Sequence, residues 1–408
     1  MAEYPNPGFS LMAKPAGSQC NLSCSYCYYL EKEKLYPGSG QARMNDETLE
    51  VFVRKYIHEQ PAKEITFVWQ GGEPALAGIT FYKNALQLQR KYGSGKAIHN
   101  SFQTNGTLLN DEWCRFFKDN NFLLGISIDG PEALHDHYRL NRGKEGSFAK
   151  TMKGLELLKK HNIEFNTLTV VNKLNAEKPL EVYKFLKEVG SHFMQFIPLA
   201  DRCAVNKRPD ELLLVPPSYP GQATLAPWCA SALSTGRFLI TVFDEWVKKD
   251  VGRYFVQLFD AALANEMGIA PGLCTFNDHC ANAAIIEHNG DIYSCDHFAY
   301  PQYKIGNVLS GPLNRIFSQT RQMEFAAAKY TTLPHQCKTC SEYVYCRGEC
   351  PKNRFLTSVD GEYGLNYFCN GYKQFFRHIK PYLKFMKNEL LNHRSPANIM
   401  HQKIGGFD

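Results

Sequence analysis

The chain has 408 residues, 44% of them hydrophobic, which is enough to bury a sizeable core in two or three domains and excludes an intrinsically disordered protein. Its 46 Lys and Arg against 40 Asp and Glu leave a net charge of +6, a mild excess without the concentrated basic and aromatic stripe that a nucleic-acid partner requires. The opening stretch MAEYPNPGFSLMAKPAG has prolines and an acid where a signal peptide needs a basic start and an apolar core, and no apolar run approaches a membrane span, so a cytoplasmic protein without a membrane partner is expected.

From about residue 10 to 200, six β-rich runs alternate with helical patterns: SLMAKP, EITFVWQ, IHNSFQTNG, FLLGISIDG, IEFNTLTVVN and HFMQFIPL. A helix is expected after each of the first five. In the first of these, Asn45 or Asp46 can cap the start, Glu47 suits its positive end, and Leu49, Phe52, Val53, Tyr56 and Ile57 form one apolar stripe. TMKGLELLKKH and EKPLEVYKFLKEVG repeat the pattern, the latter stopping at Gly190. Such alternation predicts a parallel sheet with right-handed crossovers, a partial barrel as readily as an open doubly wound sheet. In either case the working face lies at the C-terminal strand ends. There the loop carrying Cys20, Cys24 and Cys27 meets QGGEP, QTNG and SIDG at one mouth.

Residues 201–230, with Pro209, Pro216, Pro217, Pro220 and Pro227, are expected to be an irregular insertion closing a first domain of 1–235. A lid near the mouth and a plain surface insertion are both open. A helical connection over 236–270, a cysteine-rich domain over 271–370 and a C-terminal helix and tail over 371–408 complete the expected organisation.

Fourteen cysteines exceed the few buried thiols usual in a cytosolic chain, and a reducing compartment disfavours a disulfide framework. Metal or cluster binding is the better default. CNLSCSYCYYLEK, residues 20–32, offers three thiolates, one fewer than most metals take. A zinc site completed by a distant His, a cluster with an open position and three core thiols all fit that spacing. Cys274, Cys280, Cys295, Cys337, Cys340, Cys346, Cys350 and Cys369 add eight more, twice four, without two C-x-x-C pairs at zinc-ribbon spacing. Cys114, Cys203 and Cys229 are expected to be ordinary free thiols.

CNLSCSYCYY together with QGGEP resembles the radical S-adenosylmethionine (SAM) superfamily. The resemblance implies a partial (βα)6 TIM-type barrel and a 4Fe-4S cluster whose open iron is chelated by SAM. It further implies that Tyr26 and Gly72 contact SAM, that Gln103 and Ser127 serve the ribose region, Arg139 the carboxylate and Leu199 the adenine. Gly71 and Gly72, lacking Cβ, would let backbone approach the SAM ammonium. The run from Cys337 to Cys350, C-x-x-C-x5-C-x3-C, resembles the SPASM domain of radical SAM maturases. Interleaved ligation in that family implies one auxiliary cluster on Cys274, Cys280, Cys295 and Cys350, and a second on Cys337, Cys340, Cys346 and Cys369, three clusters in all.

KPAGSQCNLSCSYCYYLEK, QTNGTLL, SIDGP, EHNGDIYSCDHF and GLNYFCNGY, taken as an ordered set, resemble the anaerobic sulfatase-maturating enzymes over nearly the whole chain. The implied reaction oxidises a Cys or Ser in a C/S-x-P/A-x-R stretch of an unfolded or nascent sulfatase polypeptide to formylglycine. A 5′-deoxyadenosyl radical takes hydrogen from Cβ, a base takes the OH or SH proton, and an auxiliary cluster accepts one electron. Any thioaldehyde then hydrolyses to the aldehyde. Asp296, directly after Cys295, occupies the family's base position, its basicity expected to be raised by the anionic cluster beside it. Tyr29 is expected to line the substrate pocket, and a flavodoxin or ferredoxin to supply electrons. Two alternatives are a SPASM peptide maturase that forms thioether or carbon–carbon crosslinks and a non-enzymatic, metal-stabilised regulatory protein. Only about nineteen residues precede Cys20, too few for the separate peptide-binding domain often found in the former.

Overall fold

In a computed structural model that describes residues 8–36, 43–207, 211–280 and 283–402, all six expected strands form. They are β1 (Ser10–Lys14), β2 (Glu64–Trp69), β3 (Ala97–Thr104), β4 (Leu123–Ser127), β5 (Phe165–Val171) and β6 (Phe193–Pro198). They lie side by side in sequence order, each parallel to the next. Because the order never reverses, right-handed crossovers put every helix on the same face, which gives a barrel sector and decides against the doubly wound sheet.

The intervening helices are α1 (Asp46–Glu59), α2 (Ile79–Tyr92), α3 (Asp111–Asp119), α4 (Glu132–Asp136), α5 (Phe148–Lys160) and α6 (Pro179–Glu188). Helix α1 is capped by Asn45, whose side chain accepts from Thr48 N at 2.8 Å, and its expected apolar stripe is buried together with Thr48. Substituting Asn45 by Ala strands one amide of that first turn. Urea unfolding should register a loss of about 1 kcal/mol, and an unchanged midpoint would mean the cap contributes nothing. The stripe joins a core with Phe67, Trp69, Phe81, Phe102 and Phe117 between sheet and helices.

The sheet continues past both ends of the sector. Beyond α7 (Ala232–Lys249), the short strand β9 (Phe255–Val256) pairs with β6 and leads into α8 (Gln257–Met267). On the opposite edge β10 (Ala283–Glu287), from the cysteine-rich segment, runs parallel to β1 with Glu287 opposite Lys14. The antiparallel strands β11 (Asp291–Tyr293) and β12 (Lys304–Asn307) follow it, so this one sheet has ten strands among the described residues. Backbone pairing thereby brings Cys295, two residues after β11, to the mouth. The last helix, Cys369–Leu391, packs its Phe375, Phe376, Ile379 and Leu383 with Phe243 and Phe259 of α7 and α8 in a second core.

The 201–230 insertion is not wholly irregular. It holds an antiparallel pair, β7 (Arg202–Ala204) and β8 (Ala223–Leu225), because its described prolines fall between or after these short strands rather than inside them. Pro209 lies outside the described residues. Leu213 N and Leu214 N donate to Glu31 (2.6 and 3.2 Å), Arg202 donates to Pro216 O and Pro217 O (2.8 and 3.0 Å), and Tyr363 OH reaches Pro217 O (3.3 Å). The insertion thus ties the turn after the three opening cysteines to the cysteine-rich segment. No helix among the described residues is long and apolar enough to cross a membrane.

Candidate active site

The loop from Lys14 to Tyr29 is positioned by its neighbours at the strand ends. Ser23 N and Ser25 N donate to Leu140 O (2.7 Å) and Tyr138 O (3.0 Å), and Cys27 N to Cys24 O (3.1 Å), so Cys24 and Cys27 share one turn and the loop lies along the segment after α4. From the other side Gly72 N donates to Gly17 O (2.9 Å) and Glu73 N to Gln19 O (2.8 Å). A Cβ on Gly72 would overlap the Gln19 carbonyl and lie 2.6 Å from Ser18 O, and one on Gly71, at φ +143°, would lie 2.9 Å from Gly17 O. The two glycines therefore let QGGEP press backbone to backbone against the segment leading to Cys20. Glu73, fully buried, accepts from Ala75 N (3.0 Å), Thr104 Oγ1 (2.7 Å) and Asn105 N (2.9 Å), locking the second strand end to the third. Burial raises its carboxyl to about 6, the three hydrogen bonds holding it back.

Burial pushes the Cys20 and Cys24 thiols up to about 12 and raises Cys27 as well, with Arg139 pulling the latter two down. Thiols so buried are poor thiolates unless bound metal replaces the proton. Among the described residues no three His, Cys, Asp or Glu side chains converge tightly enough for a single metal ion. The fit is better to a cluster, where each thiolate takes its own iron.

Of the residues expected to hold SAM, Tyr26, Arg139 and Leu199 are buried at this mouth. Tyr26 OH donates to Asp129, whose carboxylate pairs with Arg139 Nε at 3.1 Å, and the guanidinium stands 5.6 Å from the centre of the Tyr26 ring. Leu199 packs with Tyr26, next to Cys24. Gln103 Nε2 donates to Ser127 Oγ (3.1 Å) across β3 and β4. Gly125 makes room for this pair, since a Cβ there would overlap Gln103 Oε1 and lie 3.0 Å from Asn166 Oδ1. That Asn166 oxygen is buried with no hydrogen-bond partner, an acceptor open to a ligand inside the barrel.

Asp296 lies where the two halves of the chain meet. Its Oδ1 is 2.7 Å from Lys14 Nζ, which also donates to Gln70 Oε1 (3.0 Å), and its Oδ2 accepts from Tyr28 OH. Burial works to raise the carboxyl, but the Lys14 ammonium, His297 and the hydrogen bonds from Lys14 and Tyr28 outweigh it and hold Asp296 below the ordinary aspartate value. Tyr29 is 2% exposed, with its hydroxyl on Glu287 and its ring 4.5 Å from Lys14 Nζ. Tyr28, rather than Tyr29, is the tyrosine that reaches Asp296. Sequence reasoning passed over Lys14, Tyr28, Asp129 and Asn166. A lysine ending an otherwise apolar strand was the available sign for the first.

The eight C-terminal thiols separate by position. Cys337, Cys340, Cys346 and Cys369 line one cavity of ≈ 30 Å³ with Tyr343, Tyr372 and Lys373. Cys274, Cys280, Cys295 and Cys350 form the other group, Cys350 feeling the charges of Cys274 and Cys280, and Cys295 those of Cys350 and Cys274. Cys114 and Cys229 are buried among apolar side chains, and Cys203 packs against the Cys229 group.

Comparison with known proteins gives the family of the chain. Residues 15–186 match the radical SAM superfamily, and residues 278–341 match an iron-sulfur cluster-binding domain, SPASM. The chain is 50% identical to a serine-type anaerobic sulfatase-maturating enzyme of Bacteroides thetaiotaomicron over 96% of this chain and 94% of that one. It is 32% identical to a cysteine-type anaerobic sulfatase-maturating enzyme of Clostridium perfringens over 94% and 100%. A solved structure described as native anSMEcpe with bound AdoMet and Cp18Cys peptide superposes with a TM-score of 0.81 at 32% identity, again over 94% and 100%. The chain belongs to the anaerobic sulfatase-maturating enzymes, radical SAM enzymes with a partial barrel and a SPASM domain.

Proposed function

We propose that this enzyme oxidises a Ser or Cys within a C/S-x-P/A-x-R stretch of a sulfatase polypeptide to formylglycine, with Asp296 as the base. The observation that carries the reading is the position of Asp296, held between Lys14 at the end of β1 and Tyr28 beside Cys27, and adjacent in sequence to Cys295. A serine target is favoured by the 50% identity to a serine-type relative. Cys20, Cys24 and Cys27 would hold the SAM-binding cluster, and the two C-terminal thiol groups one auxiliary cluster each. When bound, SAM and these clusters supply the one-electron chemistry, hydrogen abstraction at one end and electron removal at the other.

The chain's own residues bind, orient and move the proton. Asn166, Gln103, Ser127 and Arg139 surround the barrel interior where SAM would lie, with Tyr26 and Leu199 as its apolar wall. Lys14 keeps Asp296 ionised and, with Tyr28, fixes both carboxylate oxygens. So stabilised a carboxylate is a weak base, suited to an OH or SH proton that becomes acidic only as the adjoining carbon is oxidised. The target loses one hydrogen atom, one proton and one electron, and the proton goes to Asp296. A small one-electron carrier such as a flavodoxin or ferredoxin would supply reducing electrons.

The test is anaerobic incubation of the reconstituted enzyme, SAM and a reductant with Ser and Cys versions of a sulfatase-motif peptide. Mass spectrometry should find aldehyde together with 5′-deoxyadenosine. Deoxyadenosine without aldehyde from either peptide would sink the substrate assignment, and a crosslinked product would favour the other maturases.

A further inference from the structure

Two buried cations stand among the C-terminal thiols, and the mechanism above uses neither. Lys329, 1% exposed, lies on the helix Thr320–Thr331, and its ammonium donates to Cys274 O and, at 2.8 Å, to Thr275 O. The same helix holds Cys280, whose amide donates to Ala326 O at 3.2 Å. Arg354, 4% exposed, donates to Gly348 O (2.7 Å), Lys329 O (2.6 Å) and Glu349 O (2.9 Å).

Their charges are unevenly shared. Arg354 acts on Cys280 and Cys350 of one group and on Cys337 and Cys346 of the other, and the buried Glu349 carboxylate acts on both Cys350 and Cys346. These two contributions are common to both groups. Lys329, held against the carbonyls of Cys274 and Thr275, acts on Cys274, Cys280 and Cys350 of the first group and on Glu349, whereas Lys352, which also acts on Cys350, is already paired with Asp201 at 2.7 Å. The corresponding cation of the second group, Lys373, is only partly buried, and solvent and salt screen it more strongly. Asp296, the carboxylate that follows Cys295, is already paired with Lys14.

We propose that Lys329 is an electrostatic positioning residue for the first auxiliary site, a fixed buried charge that makes the cluster on Cys274, Cys280, Cys295 and Cys350 the easier of the two to reduce. The inference rests on the cluster assignments above and deepens them. Cluster potentials respond to nearby charge, hydrogen bonds and burial, and an electron leaving a substrate beside Asp296 would meet this site first. Lys329 touches no substrate. Its role is to make the nearer site the acceptor.

The experiment compares Lys329→Gln, which keeps an amide donor for the two carbonyls but removes the charge, with Lys329→Arg, which keeps the charge. Both are made in full-length reconstituted protein with Cys20→Ala, Cys24→Ala and Cys27→Ala, so that only auxiliary signals remain in redox titrations followed by electron paramagnetic resonance. Lys329→Gln should move one of the two midpoint potentials to a more negative value and leave the other in place, whereas Lys329→Arg should move neither. Unchanged potentials in Lys329→Gln, a positive shift, or an equal shift in Lys329→Arg would overturn the proposal. Loss of iron from Lys329→Gln with full iron in Lys329→Arg would likewise overturn it, assigning the charge to cluster assembly. Peptide oxidation is scored separately on enzyme with its opening cysteines intact. A shifted potential in the titration protein, without aldehyde from the parent enzyme, would refute the substrate reading and leave the role of Lys329 standing.

Discussion

Asp296→Asn should leave iron content and reductive SAM cleavage intact while slowing aldehyde formation on a sulfatase-motif peptide by roughly 10²- to 10⁴-fold, the usual contribution of a positioned base. The amide oxygen can still accept from Lys14 while its NH2 donates to the Tyr28 oxygen, so the side chain can hold its place, but it cannot take a proton. Deoxyadenosine formation would then be uncoupled from peptide oxidation. Turnover unchanged within a factor of two, with clusters intact, would remove Asp296 from the mechanism. A companion variant separates basicity from geometry. The Lys14 ammonium is a main force holding the carboxyl low against burial, so Lys14→Met raises its folded-state value. An acid that stays protonated cannot accept, and the acidic limb of the pH profile for aldehyde formation should move to higher pH. A limb that stays in place would show that the ion pair does not set the base.

Gly72→Ala should be nearly as severe, for a reason remote from proton transfer. The new methyl would overlap the Gln19 carbonyl and crowd Ser18 O at 2.6 Å, and both partners are backbone, which cannot rotate away. The segment leading into Cys20 has to shift, and with it the first of three thiols that must face one cluster. We expect loss of SAM cleavage and of about a third of the bound iron, one cluster of three, with the auxiliary signals retained. Overpacking of this kind also costs about 1–3 kcal/mol of stability. Full iron and normal SAM cleavage in Gly72→Ala would mean that this contact can relax.

Much of the molecule was legible in the linear sequence. Period-two and period-3.6 patterning found the six strands and the stripe of α1, because each records the solvent exposure of a local element. The cysteine spacings, with QGGEP, pointed to the superfamily, since local turn geometry and thiolate supply are both written in neighbouring residues. Periodicity by itself left barrel and doubly wound sheet open, because the choice depends on which strands become neighbours, and it was the resemblance carried by the cysteine motif and QGGEP that implied the barrel. The parallel pairing of β10 with β1 escaped notice for the same reason, as its partners are more than 270 residues apart.

The site divides along the same line. Which residue types are present, eleven thiols in two clusters of sequence and an aspartate following Cys295, follows from the sequence by itself. That Tyr28 rather than Tyr29 reaches Asp296, that Lys14 neutralises it, and that Lys329 is buried against the carbonyls of Cys274 and Thr275 are decisions of the tertiary structure. Ion pairing and burial depend on distance through space, and a sequence carries distance only along the chain.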